Sequence, residues 1–394
     1  MSELRSAVAD SFSLTRGGPF YRLQLRFGFA GEERQRVVRR ALLAVLITWL
    51  PLLVLSLAQG VAYGTQIKIP FLRDVAVNVR FLIAVPILIL AESGIDRRWQ
   101  ILVLQFLRSE LVAEKELPSF EAVIERTTHL RDRVLPEALL LVAAFLFSIV
   151  FKTELLIAGA SNWHGTGGGA GELNLAGWWF NLVSTPFFRF LLLRWLWRLS
   201  LWTSFLWRVA RINLYLVATH TDLAAGLGFL SEGQKVFSPI VFAGGAVIAA
   251  QVGNTIAYQG ATLASQKVPM IAYGVIAIIV FIAPLLVVAP VLLRTKRKAL
   301  REYGALVTIH DQLFDQKWIQ KKQPSDEVLL GNPDASSLID LGSSFTVIRQ
   351  MGLVPIDKPT LVTLAAAAAL PMVPVVLYAT PADELVRTVL KMLG

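Results

Sequence analysis

Five arginines, Arg189, Arg194, Arg198, Arg208 and Arg211, fall within Phe187–Val217, interleaved with Trp195, Trp197, Trp202 and Trp207. At about 100° per residue of helix they share one half of the surface. A charged group at the bilayer centre costs at least about 2.5–3.5 kcal/mol on insertion scales, so such a helix needs a water-filled cavity, acidic partners or a surface position. Arg198, Arg208 and Arg211 fit the inner headgroup level beside a tryptophan belt. Arg189 and Arg194 lie deeper, as an anion-attracting lining or as counter-charges for Glu92 or Glu154.

Two further groups could do chemistry. His220 and Asp222 follow the arginine-rich stretch, with Gly226 and Gly228 close behind. A histidine and a carboxylate two residues apart can bind a cation or exchange protons. The same residues also make an ordinary turn, in which Asp222 caps the next helix and pairs with Arg208 or Arg211 at a cytoplasmic mouth. Gln251, Asn254 and Tyr258 lie at i, i+3 and i+7, a polar face that suits a pore, a substrate lining or helix packing. Gly244, Ala249 and Gly253 beside them favour close helix approach. The Gly165–Gly171 run lacks the lysine of a phosphate-binding loop. No metal set, nucleophile or dinucleotide fingerprint is present in the sequence, so no metal, no cofactor and no catalytic residue is expected.

The elements that must carry these residues are read from the apolar blocks. The chain has 394 residues, 55% hydrophobic and only 17% charged, with no cysteine. That composition excludes disorder, disulfide scaffolds and an ordinary soluble enzyme. Apolar stretches at 41–60, 75–94, 136–158, 177–200, 236–258, 269–293 and 360–380 each approach the ~20 residues that cross a bilayer. The expected fold is all-α, a polytopic transmembrane bundle of about seven spans with cytoplasmic helical extensions. The 75–94 stretch is the weakest, because it carries Asn78, Arg80 and Glu92.

Most of the 38 lysines and arginines sit in segments 1–40, 95–135, 205–235 and 294–358. The positive-inside rule then places the amino terminus in the cytoplasm and the tail 381–394 outside a bacterial inner membrane. This also accounts for the +10 net charge without nucleic acid. The basic segment 1–40 contains a period-two run from Tyr21 to Phe29, which predicts a short strand or extended segment. Residues 96–133 pattern as two amphipathic helices broken at Pro118 and capped by Ser119. Segment 294–358 predicts a helix with an apolar stripe at Leu300, Tyr303, Val307, His310 and Phe314, a loop at 323–337 and a short helix near 337–350. No internal repeat is visible in the sequence.

His220-Thr221-Asp222, with Gly226-Leu227-Gly228-Phe229-Leu230, resembles a His-x-Asp-x-x-Gly-Gly-Leu-Gly-Phe-Leu segment of uncharacterised bacterial multi-pass inner-membrane proteins. Arg301-Glu302-Tyr303-Gly304, Phe314-Asp315-Gln316-Lys317-Trp318 and the stretch from Ser337 to Gly342 are similar to the same family's carboxyl-terminal half. Thr221 stands where proline is usual there, and Ala225 where glycine is usual. The resemblance implies the multi-pass architecture and carries no activity.

Three function classes follow. The first is an oligomeric channel or transporter for a small ion, an anion favoured, in a lipid bilayer. Its lining would be Arg189, Arg194, Gln251, Asn254 and Tyr258, and its cytoplasmic mouth Arg208, Arg211, His220 and Asp222. The second is a non-catalytic scaffold or sensor that binds a partner through its cytoplasmic helices. The third is a membrane-embedded enzyme acting on a phosphorylated lipid.

Overall fold

A computed structural model describes residues 12–28, 34–65, 67–150, 162–165, 173–320 and 333–380. The described residues are helical apart from turns and isolated bridges, with no named strand. The first helix among the described residues is α1 (Gly18–Arg26), where the period-two run predicted a short strand or extended segment. The local pattern lost to tertiary contacts: the helix's early N–H groups find acceptors on a distant helix, since Phe20 N donates to Glu137 Oε2 at 2.7 Å.

Helices α2 (Arg34–Thr48) and α3 (Leu50–Ala58) run as one apolar rod, with Pro51 in the first turn of α3. Next comes α4 (Val75–Val79), a π turn at Arg80–Ala84, and α5 (Val85–Arg108). After α6 (Leu117–Asp132) and α7 (Val134–Val150) the same order returns. It consists of α8 (Leu175–Trp179), a π turn at Phe180–Ser184 and α9 (Thr185–Val209).

The stretches 74–108 and 174–209 match element for element. Each opens on a side-chain cap, Asp74 accepting from Val77 N and Asn174 from Gly177 N. Each then reaches a proline, Pro86 or Pro186, at the second residue of the long helix. A proline has no N–H for the carbonyl four residues back, Leu82 or Leu182, and its ring crowds that carbonyl. The widened π turn relieves the crowding. The repeat is structural; the residues at matching positions share little beyond cap and proline.

The second half of the chain holds α10 (Phe229–Lys235), α11 (Ser238–Gln259), α12 (Leu263–Ile282), a 3-10 stretch at Ala283–Val288 and α13 (Ala289–Phe314). Helix α14 (Pro333–Gln350) folds back on α13, followed by α15 (Lys358–Ala369) and α16 (Val373–Ala379). The stripe Leu300, Tyr303, Val307, His310 and Phe314 is half-covered by that return, His310 Nε2 lying 2.9 Å from Ser337 Oγ.

Five helical segments among the described residues are long and apolar enough to cross a membrane: Gln35–Ala58, Val75–Arg108, Phe229–Gln259, Leu263–Ile319 and Lys358–Ala379. They account for five of the seven expected spans. Of the other two, 136–158 corresponds to α7, a shorter apolar helix over Val134–Ser148. The 177–200 stretch corresponds to α8 and α9, whose arginines set it apart from an ordinary lipid-facing span. The weak 75–94 stretch proves to be part of a continuous rod to Arg108.

The break between the two amphipathic helices lies at Ser109–Glu116, and Pro118 sits in the first turn of α6. Glu116 occupies the cap position assigned to Ser119. Their apolar residues pack as expected: Trp99, Phe106 and Phe120 are fully buried or nearly so. Trp99 stacks on Trp202 at 5.9 Å, and Trp202 on Phe205 at 5.4 Å. Trp195 and Trp202 are therefore core residues, whereas a membrane-interface belt was expected; Trp207 alone of those three is exposed. Glu154, Lys152, most of the Gly165–Gly171 run, much of the 323–337 loop and the 381–394 tail lie outside the described residues.

Candidate functional site

Three arginines of α9 divide between two sites, and the fourth, Arg208, lies beside α6 near Ser119 and Arg126. Arg194 and Arg198 are buried at the basic end of the bundle, which carries residues 12–28 and 34–40. Arg198 Nη2 donates to Glu92 Oε1 at 2.8 Å, and Arg194 Nη1 lies 3.5 Å from the same oxygen. Arg40 Nη1 of α2 donates to Glu92 Oε2 at 2.9 Å. Arg194 Nε also lies 3.4 Å from Glu137 Oε1 on α7. Four helices thus meet through three guanidinium groups and two carboxylates, all buried. Low dielectric strengthens each pairing and makes each missing partner expensive. Glu92 is indeed the counter-charge that the sequence suggested for Arg194. Arg198 leaves the headgroup level to join it.

Residues 12–24 close over this cluster. Phe20 sits under the Arg194 guanidinium at 4.6 Å, and Gln24 Oε1 accepts from Arg40. Asp96, fully buried, accepts from Ser13 Oγ and from the backbone N–H groups of Leu14 and Thr15.

Arg189 belongs elsewhere. It lines a chamber of about 510 Å³ toward the opposite end, together with Asp74, Arg80, His164, Asn181, Thr185, Gln251 and Asn254. The chamber extends from Asn162 and Gln259 at the connecting loops inward to Thr185 and Arg189. Its size lies in the range of small-molecule sites. Neighbouring residues of α9, Phe188, Leu191 and Trp195, are buried, and a separate cavity of about 220 Å³ lined by Leu191, Glu92 and Arg194 adjoins the ionic cluster.

Asp74 organises this end. Its Oδ1 accepts from Val77 N at 3.1 Å and from Asn254 Nδ2 at 2.8 Å, and its Oδ2 accepts from Trp163 Nε1 at 3.0 Å. One carboxylate therefore ties α4, α11 and the 162–165 loop together. Arg189 Nη1 donates to Ser148 Oγ at 2.9 Å, which turns its guanidinium group toward α7. Arg80 packs against the rings of Phe180 and Phe188 at 5.9 and 5.7 Å.

His164 is stacked on Trp163 at 3.8 Å, and both its ring nitrogens are buried without a hydrogen-bond partner among the described residues. Burial pushes its imidazole down to about 4; Asp74 opposes that shift and Arg80 reinforces it. The ring is neutral at pH 7. Thr185 Oγ1 is likewise buried and unpartnered. Gly177 holds the loop close, since a Cβ there would sit 2.3 Å from His164 O.

Of the expected lining, Arg189, Gln251 and Asn254 share the chamber, while Arg194 lies in the ionic cluster. Tyr258 is spent on a hydrogen bond to Arg73 O at 3.0 Å. Asp74, Arg80, His164 and Thr185 were missed by the sequence reading. For Asp74, Arg80 and Thr185 the local signal is the cap-to-proline spacing shared by 74–86 and 174–186; His164 lies outside it.

The His220–Asp222 turn is a structural unit. Asp222 Oδ1 accepts from Ala224 N at 2.9 Å and Gly226 N at 3.1 Å, and Oδ2 accepts from Gly228 N at 2.8 Å. His220 Nδ1 lies 2.9 Å from Oδ1. Asp222 has these partners in place of Arg208 or Arg211; Arg211 instead covers the Trp207 ring at 3.7 Å. Leu223, Ala225 and Gly226 all take positive φ, at 56°, 54° and 93°. Ala225 thus occupies a left-handed position that glycine would fill without strain.

Burial would raise the Asp222 carboxyl, but the N–H groups of Ala224, Gly228 and Gly226 and the His220 ring outweigh it and hold the group below 3.8. A depressed folded value contributes stability above the unfolded value, and that stability is lost as pH falls through the folded one. Asp222→Asn is expected to cost about 1–2 kcal/mol at pH 7, discounted for partial exposure. It should also flatten the loss of stability below pH 4 in an acid titration of the detergent-solubilised chain. An unaltered acid limb would refute this role.

No family model, no curated protein and no solved structure matches this chain.

Proposed function

We propose that the chain is a membrane transporter for a small anion, with the Asp74–Arg189 chamber as its binding site. One observation carries this reading. Two guanidinium groups, Arg80 and Arg189, line a polar chamber inside an apolar bundle, against one carboxylate, Asp74, among its described lining residues. Fixed positive charge in a low-dielectric recess concentrates anions. The chamber and the cavity beside the ionic cluster are separate rather than one continuous passage, which favours a transporter over an open pore. The two π turns flank the chamber, where a switch in helix geometry would have the most effect. The basic end is assigned to the cytoplasm on the strength of its arginines and lysines.

The purified chain, reconstituted into vesicles, is expected to take up labelled phosphate or chloride down a gradient, with saturation. Arg189→Gln keeps a hydrogen-bonding group for Ser148 and removes the charge. It should lower uptake at least tenfold, while gel filtration shows an intact particle. Absence of anion flux in the unmodified protein, at several voltages and pH values, would end the reading.

A further inference from the structure

Guanidinium groups only donate hydrogen bonds, and a chamber lined by them alone would welcome any anion. This one also contains His164. A neutral imidazole presents one N–H and one lone pair, and neither ring nitrogen is engaged by a described residue. Thr185 Oγ1, also unpartnered, can donate or accept. The Asn181 and Gln251 amides offer both senses and discriminate little. Asp74 is largely committed, since three of its acceptor positions are used by Val77, Asn254 and Trp163. The buried lone pair of His164 is therefore the feature of the chamber that asks the ligand for a proton.

We propose that the chamber selects an oxyanion that retains an O–H group, of the hydrogen-phosphate kind, its bare oxygens facing Arg80 and Arg189 and its hydroxyl donating to His164. This inference rests on the anion reading above and adds the ligand class. A ligand with acceptors only, such as sulfate or chloride, leaves the imidazole acceptor buried and unmatched. Sites built to hydrogen-bond a ligand hydroxyl reject analogues that lack it far more strongly than apolar pockets discriminate shape. Burial keeps the ring neutral at pH 7, as the acceptor role requires.

The test uses the detergent-solubilised full chain in equilibrium dialysis at pH 7, with labelled phosphate, sulfate and chloride measured separately. At that pH phosphate keeps an O–H and sulfate has none, although both are tetrahedral. Phosphate is expected to bind at least tenfold more tightly than sulfate, and more tightly still than chloride. His164→Phe should bring the phosphate-to-sulfate ratio close to unity. His164→Gln, whose amide offers both senses as Asn181 and Gln251 do, should also lower the ratio, though less than His164→Phe. Sulfate binding as tightly as phosphate would overturn the inference and leave the anion reading standing. A ratio undiminished in His164→Phe would overturn the assignment of His164. Binding of none of the three ions would remove both the inference and the reading beneath it. Should His164→Phe fail to fold, the ratio in the unmodified chain and in His164→Gln still decides.

Discussion

Replacing Glu92 by glutamine is expected to destabilise the folded chain by about 3–5 kcal/mol, the range for breaking a buried ionic group on one side. Glu92 faces Arg40, Arg194 and Arg198 at 2.9, 3.5 and 2.8 Å, and all four side chains are buried. Glutamine matches the carboxylate in shape but keeps one acceptor oxygen, and its NH₂ group would be turned toward a guanidinium. Glu137 would then be the remaining carboxylate in the cluster against three cations. The opposite deletion should be milder. Arg194→Gln leaves two cations with two carboxylates, so its cost is expected to fall below that of Glu92→Gln. Chemical unfolding in detergent, followed by tryptophan fluorescence, measures both. Equal costs for the two variants would show that packing, rather than charge balance, sets the energy of this cluster.

That cluster explains why the membrane spans were easier to read than the site. A span is a local property of some twenty consecutive apolar residues, and five helical segments satisfy it where the sequence placed spans. Arginines in an apolar helix also announce themselves locally, because each needs a partner. Which partner is a long-range fact. Arg189 and Arg194 are little more than one helical turn apart, yet one lines the chamber and the other pairs with Glu92 and Glu137. A shared half of a helix surface still spans several neighbours, and only the packing of α2, α5 and α7 separates them.

The chamber was harder still to see. Asp74, Arg80 and His164 come from segments that the hydropathy reading treated as a weak span and an outer loop. The apolar alternation from Tyr21 to Phe29 misled for a related reason. A nine-residue helix is marginal by itself, and α1 owes its existence to Glu137 and Asp132, which accept its first N–H groups. In the 220–228 turn the residue order was informative, since a carboxylate followed by small residues can gather N–H groups. The left-handed backbone at Ala225 could not be inferred there, because alanine gives no hint of it.

Asp96→Ala is expected to release residues 12–28 from the basic end. Asp96 is fully buried and is the shared acceptor for Ser13 Oγ at 2.9 Å, Leu14 N at 3.0 Å and Thr15 N at 3.1 Å, with Arg16 Nε at 3.1 Å. Removing it strands two backbone donors and a hydroxyl, a loss of about 3 kcal/mol before relaxation. The rest of the clasp is lighter: Phe12 against Phe205 at 4.8 Å, Arg131 on Ser13 O, and Gly18 N on Asp132. Trypsin should then cut at Arg16, Arg22 and Arg26 at least tenfold faster than in the unmodified chain, while the helices of the bundle stay protected. The effect should reach the ionic cluster, because Phe20 and Gln24 ride on the same segment and cover Arg194 and Arg40. With the clasp open, water enters and solvates the guanidinium groups, so losing Glu92 matters less. The double variant Asp96→Ala/Glu92→Gln should therefore be less destabilised than the sum of the single variants, by about 0.5–3 kcal/mol. Strict additivity would show that the segment and the cluster are independent, and cleavage at the unmodified rate would show that the contacts of Phe12, Gly18 and Phe20 hold the clasp without Asp96.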